Sequence, residues 1–84
     1  MKIETLRSFD DDFRRLPREM QERARRLLGV LIDNPRHPSL RFKKMGGSET
    51  WELRVSRGYR ITLEMREETY LLRRIGSHDI LRSP

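Results

Sequence analysis

The stretch WELRVSRGYRITLEMREETYLLRRI, residues 51–75, decides the fold. Trp51, Leu53 and Val55 alternate with Glu52, Arg54 and Ser56. Tyr59, Ile61, Leu63 and Met65 alternate in the same way with Arg60, Thr62, Glu64 and Arg66. Side chains leave a strand on opposite sides in turn, so a period of two, apolar in one phase and charged in the other, predicts half-buried strands. Arg57 and Gly58 supply a hairpin turn between the two runs, which makes their pairing antiparallel. Glu67 and Glu68 form the next turn, and Thr69 to Ile75 reads as a third strand that Gly76 ends. The three strands make a meander with one apolar face and one polar face. The polar face carries Glu52, Arg54, Arg60, Thr62 and either Arg73 or Arg74.

The apolar face needs a cover, and the residues before it supply one. Met20, Ala24, Leu27, Leu28 and Leu31 recur at helical spacing, with Pro17 suited to the first turn, and Asn34 and Pro35 end that helix. The opposite face, Arg18, Glu22, Arg25 and Arg26, reads as solvated, with charges spaced for pairing along a helix. A shorter helix is expected from Ser8, with Asp11 completing an approximate capping box and Phe9, Phe13 and Leu16 on one face. Lys2 to Leu6 reads as a short edge strand and Leu40 to Lys44 as another. Asn34 to Ser39, with Pro35 and Pro38, reads as a connector. The expected class is α+β: an N-terminal helical hairpin packed on a small, twisted, mainly antiparallel sheet of three to four strands. One domain spans residues 1–84, with no repeat, low-complexity tract or linker.

Composition narrows the function classes. With 35% hydrophobic and 38% charged residues over 84 positions, the core is thin and the surface ionic. Lys and Arg number 19 against 13 Asp and Glu, a net charge of +6, which favours polyanionic partners without ranking RNA, DNA, acidic protein or membrane. No cysteine is present, which removes disulfides and thiolate metal sites. His37 and His78 stand far apart without a companion ligand set, so neither metal nor cofactor is expected. No apolar run has signal-peptide or membrane-span length, and a cytoplasmic location is the default expectation.

The polar face sets one carboxylate, Glu52, among guanidinium groups, and the tail brings back His78 followed by Asp79. RNA cleavage requires a base for the 2′-hydroxyl proton, cations for the charge on the phosphorane and an acid for the leaving oxygen. Arginine suits the middle task because its planar fork binds two phosphate oxygens and stays charged; Arg60 is the first choice. His78 is chemically apt because an imidazole can both give and take a proton, but a histidine beside Asp at a strand end also serves as a plain turn residue. Glu52 either acts on a proton or only pairs with Arg54 or Arg60 across the sheet. Trp51 points opposite to Glu52, toward the core or a partner. His37 reads as an exposed loop residue.

The ordered set Asn34-Pro-Arg-His-Pro-Ser-Leu40, Trp51-Glu-Leu-Arg-Val55, Gly58-Tyr-Arg-Ile61 and Gly76-Ser-His-Asp-Ile80 resembles the RelE/ParE toxin superfamily, particularly its RelE-like and YafQ-like members. The resemblance spans nearly the whole chain. It implies the toxin of a type II toxin-antitoxin system, a ribosome-dependent endoribonuclease that cuts mRNA in the A site through the transcript's own 2′-hydroxyl, without metal. Its partners would be the ribosome, mRNA and a cognate antitoxin protein. By this resemblance Arg60 matches the phosphate-stabilising arginine, His78 the C-terminal histidine of proton transfer, and Arg54 a basic strand position that holds RNA or stabilises charge. Arg41, Lys43, Lys44, Arg73 and Arg74 are the basic positions expected to grip RNA. Some RelE-like members carry lysine near the position of Glu52. The chain also lacks further histidine and aspartate residues that YafQ-like members have around the central strands, which leaves Glu52 and His78 to divide the base and acid roles. A ParE-like inhibitor of DNA gyrase and a binding-only family member are the alternatives.

Overall fold

The computed structural model describes residues 1–84. Its order is β1 (Lys2–Thr5), α1 (Arg7–Arg14), α2 (Arg18–Asp33), β2 (Lys43–Lys44), β3 (Trp51–Arg54), β4 (Tyr59–Arg66) and β5 (Thr69–Ser77), with 3₁₀ turns at Pro38–Leu40 and His78–Arg82. The sheet has five strands in the order β1-β5-β4-β3-β2, one more than the upper expectation. The meander β3-β4-β5 is antiparallel as its alternation requires, while β1 joins the far edge parallel to β5, pairing Ile3 with Tyr70 and Thr5 with Leu72. The other weak strand shrinks to Lys43 and Lys44.

Phe9 from α1 and Ala24 and Leu31 from α2 pack with Leu53, Ile61, Leu63, Tyr70, Leu72 and Ile75 of the sheet to make the core. Met20, Leu27 and Leu28 border it, partly buried. Burying a Leu or Ile side chain contributes roughly 1.5–3 kcal/mol, so the stability of so small a domain depends on this one layer. Phe13 carries the Arg25 guanidinium 5.2 Å from its ring centroid, and Arg18 pairs with Glu22 one turn on at 3.5 Å. No helix is long and apolar enough to cross a membrane.

Three local expectations are corrected. Helix α1 starts at Arg7, behind Leu6, and no side chain caps it. Ser8 is diverted: its hydroxyl donates to the carbonyl of Arg73 at 2.7 Å and hooks the helix to β5. The Pro-rich connector winds one 3₁₀ turn at Pro38–Leu40, because His37 Nδ1 accepts from the Ser39 amide at 3.1 Å and buried Leu40 ties the turn to the core. Gly76 does not end β5, which continues to Ser77.

The register explains why Arg73 and Arg74 stand side by side. Thr62 pairs with Arg74 but Leu63 pairs with Leu72, so Arg73 is the extra residue of a β-bulge. The bulge resets the alternation, and both Leu72 and Ile75 reach the core although three positions separate them. Helix α1 supplies partners for the disturbed backbone: Ser8 takes the Arg73 carbonyl, and the Asp12 carboxylate accepts the Ile75 amide at 3.2 Å.

Gly76 has a packing reason. A Cβ there would lie 2.8 Å from Cγ2 of Ile80, the residue that seats the C-terminal 3₁₀ turn on the sheet. Gly76→Ala is expected to cost roughly 1–3 kcal/mol through overpacking. In thermal melts the cost should shrink when Ile80→Ala is present as well; full additivity of the two changes would contradict a direct clash.

Candidate nucleic-acid site

The polar face is formed by register. Glu52 faces Thr62 across β3–β4, Arg54 faces Arg60, and Lys43 faces Glu52 across β2–β3. Because direct cross-strand partners share a face, these side chains converge, and an open cavity of about 340 Å³ is lined by Arg41, Phe42, Lys43, Glu52, Arg54 and Arg60. Four cations surround one carboxylate. Five of the nine residues singled out in the sequence therefore meet in one place.

Glu52 is only 9% exposed, and its Oε1 lies 3.6 Å from Nε of Arg60 on the diagonal of the ladder. Arg60 is itself held from behind. Its Nη1 donates to the carbonyls of Ser56 at 2.8 Å, Tyr59 at 3.0 Å and Arg57 at 3.2 Å, locking the β3–β4 bend. All three bonds use Nη1, so Nη2 is unspent. Arg54 makes no ion pair or side-chain hydrogen bond. Partial desolvation pulls its pKa below the ordinary arginine value, and repulsion from Arg41, Arg60 and Arg57 adds to this. Cationic side chains that outnumber the one carboxylate among them form a site for an external anion. Nowhere in the fold do three His, Asp or Glu side chains gather as metal ligands.

The remaining singled-out residues lie elsewhere. Lys44 is one residue out of phase with Lys43, so it leaves the opposite side of β2, 3.8 Å from Glu49. Arg74 clamps Asp12 on α1, donating from Nε at 2.6 Å and Nη2 at 3.2 Å, and this partner raises its pKa. Arg73 pairs with Glu64 and donates from Nε to the Pro84 carbonyl at 3.0 Å; Arg66 and Arg73 together hold the Glu64 carboxyl below its usual range. Arg73 and Arg74, two of the positions expected to grip RNA, are thus engaged by internal partners and lie outside the cavity. His78 does not line the cavity. Its side chain is exposed and its amide donates to the Gly58 carbonyl at 3.1 Å, which puts it at the end of the β3–β4 hairpin. The final residues lie over the same face, where the Pro84 carbonyl accepts from the Thr62 hydroxyl at 3.3 Å.

Sequence reading passed over two features: Phe42 as a wall of the cavity and the left-handed backbone of Arg41, at φ 45° and ψ 44°. No composition or spacing signal marks either.

The two-helix layer on a five-stranded, mostly antiparallel sheet is the RelE-like fold, which this chain shares with several solved structures. YafQ from E. coli strain BL21(DE3) superposes with a TM-score of 0.77 at 15% identity over 95% of this chain and 96% of its own. A YoeB/ParE toxin from Agrobacterium tumefaciens reaches 0.78 at 18% identity, over 93% and 99% of the two chains. The RelB-RelE antitoxin-toxin complex from Methanococcus jannaschii gives 0.72 at 19% identity, over 95% of each. No family model and no curated protein sequence matches the chain.

Proposed function

We propose that this chain is the toxin of a toxin-antitoxin pair and cleaves mRNA on the ribosome without a metal ion. The observation that carries the reading is the convergence of Arg41, Lys43, Arg54 and Arg60 on one buried carboxylate in an open cavity. In the reaction, the 2′-oxygen attacks the adjacent phosphorus and the 5′-oxygen of the next nucleotide leaves, giving a 2′,3′-cyclic phosphate and a 5′-hydroxyl. Glu52 takes the 2′-hydroxyl proton, and Arg54, Arg41 and Nη2 of Arg60 neutralise the phosphorane. His78, at the hairpin end outside the cavity, is assigned the proton for the leaving oxygen. The site of action is then cytoplasmic. A cognate antitoxin is the expected partner, since RelE and YafQ of the same fold have been solved in complex with RelB and DinJ.

One observation favours a binding-only protein instead: Nη1 of Arg60 is wholly engaged by the bend. Cleavage by the unaltered chain decides between the two, and Glu52→Gln and His78→Ala test the proton roles. Each is expected to lower cleavage by about 10²–10⁴-fold in a purified translation system. Full cleavage by both variants, with loss only in Arg60→Ala, would overturn the acid and base assignment.

A further inference from the structure

Behind the cationic cavity, around the sheet edge, lies a second and larger one of about 680 Å³, lined among others by Arg36, His37, Arg41, Phe42, Trp51 and Met65. Arg41 and Phe42 belong to both cavities and form the wall between them. Phe42 meets Trp51 edge-on, with centroids 5.0 Å apart and planes at 82°, and Met65 is 44% exposed, one of few large apolar side chains left open to solvent. No acidic side chain lines the groove. His37 Nδ1 accepts from the Ser39 amide, so the neutral ring carries its proton on Nε2 as a free donor. Arg41 holds a left-handed backbone that non-glycine residues rarely adopt, at the divide between the cavities and with no internal ion pair. Such conformations persist where the surroundings impose them, often at ligand-binding positions.

We propose that this groove is a base-recognition subsite, taking the unpaired nucleobase that flanks the phosphate held by Arg41, Arg54 and Arg60. The chemistry matches in each part. A flat ring covers Trp51, Phe42 and Met65, its edge meets donors from Arg36 and His37, and the shared Arg41 joins this groove to the phosphate site. A purine covers more of the apolar wall than a pyrimidine, so the cut positions carry a purine preference at that nucleotide. This inference rests on the RNA-cleavage reading.

The test maps cut sites on one mRNA in a purified translation system for the unaltered chain, Trp51→Leu and Met65→Glu. The ratio of cuts beside purines to cuts beside pyrimidines is internal to each reaction and insensitive to the amount of folded protein. Met65 is exposed, so Met65→Glu decides if Trp51→Leu does not fold. The expected result is a preference in the unaltered chain that falls on the order of tenfold in either variant, the scale of one lost base–aromatic stack. A preference that survives both changes, or an unaltered chain that cuts with no preference, overturns the subsite and leaves the nuclease standing. Intact mRNA with the unaltered chain overturns the nuclease reading and the subsite with it.

Discussion

Arg54→Ala is expected to lower mRNA cleavage by about 10²–10³-fold while leaving the melting temperature unchanged or higher. The two halves of this outcome have one cause. Arg54 has no internal partner and is repelled by Arg41, Arg57 and Arg60, so the folded protein gains nothing electrostatically by keeping it. A transferred phosphoryl group supplies the missing counter-charge, and the charge it develops in the transition state is where a fixed guanidinium counts most. Arg54→Lys should recover only part of the rate, because an ammonium lacks the bidentate fork. Parallel melts and cleavage assays check both halves. A variant that loses stability and activity together would mean that Arg54 is a structural residue.

Asp12→Ala should have the largest effect on stability, about 3 kcal/mol, with a fall in melting temperature of roughly 10–20 °C. The carboxylate is 11% exposed and joins three donors: Nε and Nη2 of Arg74 and the amide of Ile75. Removing it strands a guanidinium at a bulge, unpins α1 from β5 and leaves a strand amide without its acceptor. Asp12→Asn keeps an acceptor for the amide but loses the charge, and should fall between the two. Calorimetry on the three proteins measures this; a loss under about 1 kcal/mol in Asp12→Ala would show that the clamp is replaceable by water.

The contrast between Arg54 and Arg74 marks how far the sequence could be read. Strict alternation over residues 51–66 assigned Glu52, Arg54, Arg60 and Thr62 to one face, and antiparallel pairing then brought them together, because face and hairpin register follow from local pattern. The apolar spacing of α2 was legible for the same reason. Arg73 and Arg74 were not, since a bulge has no local signature and their partners Asp12 and Glu64 depend on long-range packing. The parallel pairing of β1 with β5 joins segments separated by most of the chain, and four residues carry no record of it. His78 was recognisable as an apt proton carrier, but where the tail folds was not written in its neighbours. Arg41 was visible as a charge; its left-handed backbone and its place between two cavities emerge only in three dimensions.

The most direct test of the central claim is to map the ends of mRNA recovered from a purified translation system with and without this protein. The expected result is cuts in the ribosomal A site, dependent on ribosomes, with a 2′,3′-cyclic phosphate on the upstream fragment and loss of cutting in Arg54→Ala. Intact message, with or without arrested translation, would contradict it and turn attention to a binding-only protein or to DNA gyrase.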